Sequence, residues 1–269
     1  MNYYNKLDKT VELASEAKKL SDLSLEKSSK TFFFDLHEYS KYFDQSLKGN
    51  FLFGDITHIP RDPSLVKSRP ISDNNANSII LKWNKLRHFM FIKNEKKQYS
   101  QKKNMLVFRG KVHDITPHRA LFLEKYIDHP MCDIGKVNNK LINPEWNADR
   151  MTIDEQLEYK FILCLEGIDV ASNLKWVMSS NSLAVMPKPK FEGWFMEGLL
   201  IPDHHYVLIK DDYSDLETKL EYYINNPDKA DAILKNSNDY LIQFQNKQFE
   251  DLISLMVLSK YFEKTNQHS

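Results

Sequence analysis

Glycine is scarce in this chain: 7 of 269 residues, against about 7% in average proteins. Loops that wrap phosphate with backbone amides need glycine at fixed offsets, and neither G-x-x-x-x-G-K nor G-x-G-x-x-G occurs. Walker-type NTPases and ordinary NAD-binding Rossmann domains are thereby excluded. Cysteine is scarcer still. Cys132 and Cys164 lie in the short apolar runs MCDI and FILCLEG, which reads as two buried small hydrophobes in a reducing compartment. Two cysteines alone make no zinc site. No apolar run approaches the roughly 18 residues of a membrane span. The opening MNYYNKLDKTVELASEAKK is polar and amphipathic, unlike a signal peptide. The expectation is a soluble, cytoplasmic protein.

What is present is enough for a core. The chain is 42% hydrophobic and 28% charged, with 16 Phe, 13 Tyr and 4 Trp, a length and composition for one large domain or two small ones. Net charge is zero, but it is unevenly spread: residues 1–150 carry 26 basic and 18 acidic side chains, the rest 11 and 19. A basic first half is a surface that meets anions, or uneven decoration. Nucleic acid is not an expected partner, because no basic–aromatic RNA-binding motif appears.

Along the chain, Leu7, Val11, Ala14, Ala17 and Leu20 have helical spacing and predict a surface helix over 4–21. The bursts TFFF (31–34) and FLF (51–53) predict strands, each ending in polar residues; 60–78 is proline-rich loop, and 78–92 fits helix or strand. The charged run 93–103 is read as a linker. Beyond it, strands at 105–108, 131–134, 161–165, 183–186 and 205–209 alternate with helices at 117–127, 152–157 and 171–179, before three closing helices at 214–225, 228–243 and 247–263. Pro117 and the Thr152/Glu155 capping box mark two of the helix starts. Alternation of this kind predicts a parallel, doubly wound α/β sheet, in which ligands bind beyond the carboxyl ends of the strands.

That rule selects three strand ends: Phe108-Arg109-Gly110 with Pro117-His118-Arg119, the turn Glu166–Ser172 with Lys175, and Met186–Lys190 followed by Glu192 and Trp194. Guanidinium groups and helix amides converging on one crevice make an anion site. Phe191, Trp194 and Phe195 read as core or lid packing, His204 and His205 as structural, and Trp83 and Trp146 carry no functional signal.

Several of these runs, in order, resemble glycosyltransferase family 90: YKFILCLEG (159–167) with Ala171, Ser172 and Lys175, then LVFRG (106–110) with Pro117-His118-Arg119, and PDHHYV (202–207) with KDDYSDL (210–216). The wording, including KSRPI (67–71) and MSSNS (178–182), is closest to a bacterial branch of lipopolysaccharide biosynthesis. The resemblance covers about 30–262. It implies an α/β GT-B-like architecture, two Rossmann-like halves facing across a cleft with a C-terminal helix cluster. The domains expected are 1–100 (acceptor side, carrying the base), 101–245 (nucleotide-sugar binding) and 246–269 (a helix packing back on the body).

The resemblance further implies inverting transfer of a hexose or pentose from a UDP-sugar to lipopolysaccharide core or another envelope glycan, with peripheral contact at the inner membrane. No cofactor and no metal are expected. No D-x-D pair occurs in the chain, so leaving-group charge falls to cations and helix amides. The donor-binding set is Arg109, Gly110, Arg119, Asp169, Val170, Ala171, Ser172, Asn173 and Lys175, with Arg69 as a looser match. The base of the related branch is an Asp in an Arg-Asp-Tyr run after an apolar strand; here the run is His37-Glu38-Tyr39, which gives Glu38 that role, with Asp35 as rival. Asn173 stands where many members have arginine. The Glu-for-Asp exchange and this missing arginine also fit an alternative, a non-catalytic nucleotide-sugar-binding protein of the same fold.

Overall fold

A computed structural model describes residues 1–25, 30–138, 141 and 143–267. In chain order the elements are β1 (Lys18–Lys19), α1 (Lys30–Ser40), β2 (Lys48–Gly49), β3 (Phe51–Leu52), β4 (Ser64–Val66), β5 (Ser68–Pro70), β6 (Ser78–Ile80), α2 (Lys85–His88), β7 (Lys103–Gly110), α3 (Pro117–Tyr126) and β8 (Cys132–Lys136). They continue with α4 (Ile153–Gln156), β9 (Tyr159–Leu163), α5 (Leu174–Met178), β10 (Leu183–Met186), β11 (Phe191–Gly193), β12 (Val207–Leu208), α6 (Leu216–Asn225), α7 (Pro227–Leu241) and α8 (Lys247–Lys264).

The chain forms two compact units. The first comprises Met1–His88, Pro189–Leu199 and Gln243–Ser269, the second Phe89–Lys188 and Leu200–Ile242. The division falls ahead of the charged run 93–103, and that run belongs to the second unit. There Glu95 pairs with Lys102 and accepts the Asn181 N–H, which fastens the run to the turn before β10.

In the second unit the strands are short apolar runs without alternation. Leu106–Phe108, Phe161–Leu163 and Leu183–Val185 are almost wholly buried, as strands covered on both faces must be. They form a five-stranded, all-parallel sheet in the order β12-β10-β9-β7-β8. Counted by sequence this is the doubly wound order 2-1-3-4-5, and it reverses direction between β7 and β9. Phe122, Leu216, Leu220 and Ile233, from α3, α6 and α7, join the strands' core, each such side chain contributing roughly 1.5–3 kcal/mol. Pro117 stands at the first position of α3, and Thr152 caps α4 through the expected box.

The first unit has a smaller parallel sheet, β3-β4-β6, and an antiparallel pair, β5 with β11. Two expectations are corrected here. Residues 4–21 are not a helix. Their backbone is bound elsewhere: the Tyr4 carbonyl accepts Ile80 N–H, and Val11 N–H donates to the Lys264 carbonyl. The run TFFF is helical, not a strand, because Phe32, Leu36 and Tyr39 recur at helical spacing and fill one buried face of α1. Both units are thus α/β with parallel sheets, the class the sequence predicts.

Candidate active site

Beyond the carboxyl ends of β7 and β8 in the second unit lies an open pocket of about 960 Å³. Its walls come from the segment after β7 (Val112, His113), the start of α3 (Pro117), the end of β8 (Lys136) and Ile168 beyond β9. The pocket flanks, on the β8 side, the topological switch point between β7 and β9, where doubly wound sheets hold their ligands. Trp146 lines one side, and the close approach of its segment requires a glycine: a Cβ at Gly135 would stand 2.3 Å from Ala148 Cβ and 3.1 Å from the Trp146 carbonyl. Among the described lining residues Lys136 is the lone lysine or arginine. It is buried, its register partner is Gly110, and its ammonium donates to the Asn138 carbonyl at 3.4 Å.

The structure distributes the sequence-predicted donor residues unevenly around this pocket. Arg119 is at the switch point but binds protein carbonyls: Nε donates to Glu166 O at 2.8 Å, and the terminal nitrogens donate to Leu165 O at 2.7 Å and Lys111 O at 2.9 Å. The His118 ring reaches the same Glu166 carbonyl at 2.8 Å. Together they fix the loops after β7 and β9. Arg109 turns the other way, onto Asp133 of β8 at 2.6 Å and the carbonyls of Asp133 and Asp149. Burial works against it, but the Tyr159 hydroxyl and Arg109 hold the Asp133 carboxyl below its ordinary range, and burial pushes the Tyr159 phenol up to about 12. Gly110 ends β7 beside Lys136.

The turn after β9 also differs from the expected helix start. Helix α5 begins at Leu174, not at 171, because the Asn173 amide bonds back to the Leu163 carbonyl at 3.0 Å. Val170 and Ala171 are buried apolar residues, Asp169 and Lys175 are buried charges, and Ser172 is half-buried. No helix amide is assigned to a diphosphate here.

Arg69 and Glu38 belong to the first unit. Arg69 is fully buried, with Nε on Glu192 at 2.7 Å and its terminal nitrogens on the carbonyls of Ser78 (2.9 Å) and Tyr3 (2.7 Å). Trp194 and Phe195 are likewise buried; Trp194 stacks on Tyr4 at 3.9 Å and donates to Glu250 at 2.8 Å. Glu38 lies on α1, paired with Lys85 and 3.6 Å from Lys247. Asp35, one turn earlier, accepts the Lys85 backbone N–H at 3.0 Å. Burial raises its carboxyl above the ordinary value of 3.8, against the pull of Lys85. The Asp35 side chain is 15% exposed against 39% for Glu38, so Glu38, set within a helix rather than after the expected strand, is the more accessible of the two carboxylates.

Lys136 and Trp146 line this pocket but were not assigned to a site from the sequence. The available signal was positional: Lys136 directly ends an apolar strand, as Arg109 does.

The profile of Glycosyl transferase family 90 matches residues 74–263. The O-glucosyltransferase LpsA of Dichelobacter nodosus is 39% identical over 262 residues, 97% of this chain and 81% of that protein. Uncharacterized protein 179R of Invertebrate iridescent virus 6 is 30% identical over 137 residues, 47% of this chain and 12% of the viral one. Among solved structures, the C-terminal domain of a glycosyl transferase group 1 family protein (LpcC) from Francisella tularensis aligns with 56% of this chain and 93% of its own, at 15% identity and a TM-score of 0.36. Both the profile match and the long LpsA alignment lead to one conclusion: the chain belongs to glycosyl transferase family 90, and its activity is glycosyl transfer.

Proposed function

We propose that the protein moves a hexose or pentose from a UDP-sugar to a lipopolysaccharide or other envelope-glycan acceptor, in one inverting displacement without a metal. The observation that carries this reading is the pocket beside the switch point, with Lys136 at its edge and Trp146 in its wall. Its size suits a nucleotide, a flat indole suits a base, and a buried ammonium suits a diphosphate. The acceptor class is drawn from the similarity to a protein described as O-glucosyltransferase LpsA.

In the reaction, the acceptor hydroxyl loses its proton to Glu38 as its oxygen attacks the anomeric carbon. The bond from that carbon to the diphosphate breaks on the opposite face, so configuration inverts and UDP leaves with the electron pair. Lys136 meets the charge that develops on UDP, while Arg119 and His118 keep the surrounding loops in place. The absence of any D-x-D pair supports charge neutralisation by side chains. Among the described residues no helix is long and apolar enough to cross a membrane, and the acceptor is reached by peripheral contact at the inner membrane.

Calorimetric titration with UDP, UDP-glucose, UDP-galactose and UDP-xylose, with and without EDTA, tests the reading. Micromolar UDP binding indifferent to EDTA is expected. Absence of binding to every uridine nucleotide overturns it.

A further inference from the structure

The first unit has an open pocket of its own, about 570 Å³, that no step above uses. Two phenyl rings line it, Phe51 and Phe53, which lie 6.4 Å apart, together with the His58 imidazole. The Phe51 ring lies over Gly49, where a Cβ would stand 2.7 Å from Cζ, so the glycine lets the ring settle against the backbone. Around the rings stand hydrogen-bonding groups of every kind, among them Asn50, Arg61, Asp62 and Glu16. The described lining carries three carboxylates against two Lys or Arg. A pocket so nearly balanced in charge gives no preference to a diphosphate or an acidic polymer.

Apolar rings beside paired donors and acceptors are complementary to a neutral sugar, whose C–H faces stack and whose hydroxyl edges both give and accept hydrogen bonds. We infer that this pocket is a subsite for a neutral oligosaccharide segment of the acceptor. The inference rests on the reading of Glu38 as the acceptor-side base. The link between them is structural: Phe53 packs on Phe32 at 5.7 Å and on Trp83 at 5.0 Å. Phe32 lies in the first turn of α1, which carries Glu38, and Trp83 stands two residues before Lys85, whose ammonium pairs with Glu38. A glycan held against Phe53 shares a wall with the elements that hold the base.

The test is an array of neutral and phosphorylated bacterial oligosaccharides probed with the full-length chain, alongside Phe51→Ala and Arg61→Ala. Wild type is expected to retain neutral oligosaccharides, and both variants to bind them at least tenfold more weakly with UDP affinity within twofold. Arg61 is exposed, so its variant reads out even if Phe51→Ala misfolds. Glycan binding unchanged in Arg61→Ala and in a folded Phe51→Ala overturns the inference. So does retention of phosphorylated glycans alone, or of none by a wild type that binds UDP. Wild type that binds neutral glycans but no UDP sinks the donor reading and leaves the subsite standing.

Discussion

Arg69 and Glu192 are register partners across the antiparallel pair of β5 and β11, and their side chains form an ion pair at 2.7 Å with both residues buried. The Tyr3 hydroxyl donates to the same carboxylate. Removing one member of a buried pair strands the other charge, at a cost of about 3–5 kcal/mol. Arg69→Met is therefore expected to lower unfolding free energy by that order. Glu192→Gln added to it should recover part of the loss. Urea denaturation of the single and double variants checks this, and a near-zero effect of Arg69→Met removes the pair as a structural element.

Lys136→Met is expected to weaken UDP binding at least tenfold while uridine affinity is unchanged, since one charge-assisted contact to phosphate is worth about 1.5–3 kcal/mol. Arg109→Met should do the reverse, costing stability through Asp133 with UDP affinity within twofold. Calorimetry and thermal unfolding of the two variants separate the roles. Equal loss of UDP binding in both would return Arg109 to the donor site.

Glu38→Gln should lower transfer by at least two orders of magnitude, within the usual contribution of a general base of about 10²–10⁴-fold, and leave UDP binding intact. Asp35→Asn should retain transfer, because Asp35 serves the Lys85 N–H that opens α2. Radiolabelled sugar transfer to envelope glycan measures both. Full activity in Glu38→Gln transfers the base role away from it.

Two carboxylates predict opposite pH signatures. Asp35 has a raised value, by burial first, so its native protonation contributes stability at low pH that is lost as pH rises through the native value. Asp133 has a lowered one: burial opposes, but Tyr159 and Arg109 prevail. Its contribution is present above the ordinary value of 3.8 and lost as pH falls through the native value. Relative to wild type, Asp35→Asn should therefore gain stability as pH climbs from about 4, and Asp133→Asn should lose it as pH climbs towards about 4 and then level off. Unfolding free energies across pH 3–7 (about the span of both carboxylates) decide, and parallel curves would contradict both assignments.

Much of the second unit was legible because its strands obey local rules. Buried apolar runs such as 183–186 can sit in few ways, and Pro117 and Thr152 announce helix starts through their own backbone chemistry. The first unit was harder. The spacing of Leu7, Val11, Ala14 and Leu20 is helical, yet Tyr4 is claimed by Ile80 and Val11 by Lys264, partners about 75 and 250 residues away that periodicity does not see. The site divided along the same line. Arg119 was found by its place at a helix start, but the carbonyls that occupy it come from distant loops. Lys136 and Trp146 become neighbours of one pocket only once β8 is paired and the chain returns over Gly135.

The backbone passes from one unit to the other at residues 88/89, 188/189, 199/200 and 242/243. Neither unit is therefore a continuous stretch of the gene. A stop codon after residue 88 would not yield a shortened but whole half, because the first unit would lose β11 and α8, which pack on β5 and α1. Either unit can be exchanged whole with a relative's only where the joints keep all of its segments together. Recombination at 88/89 alone would leave the first unit assembled from two parents, with β5 and α1 from one sequence and β11 and α8 from the other.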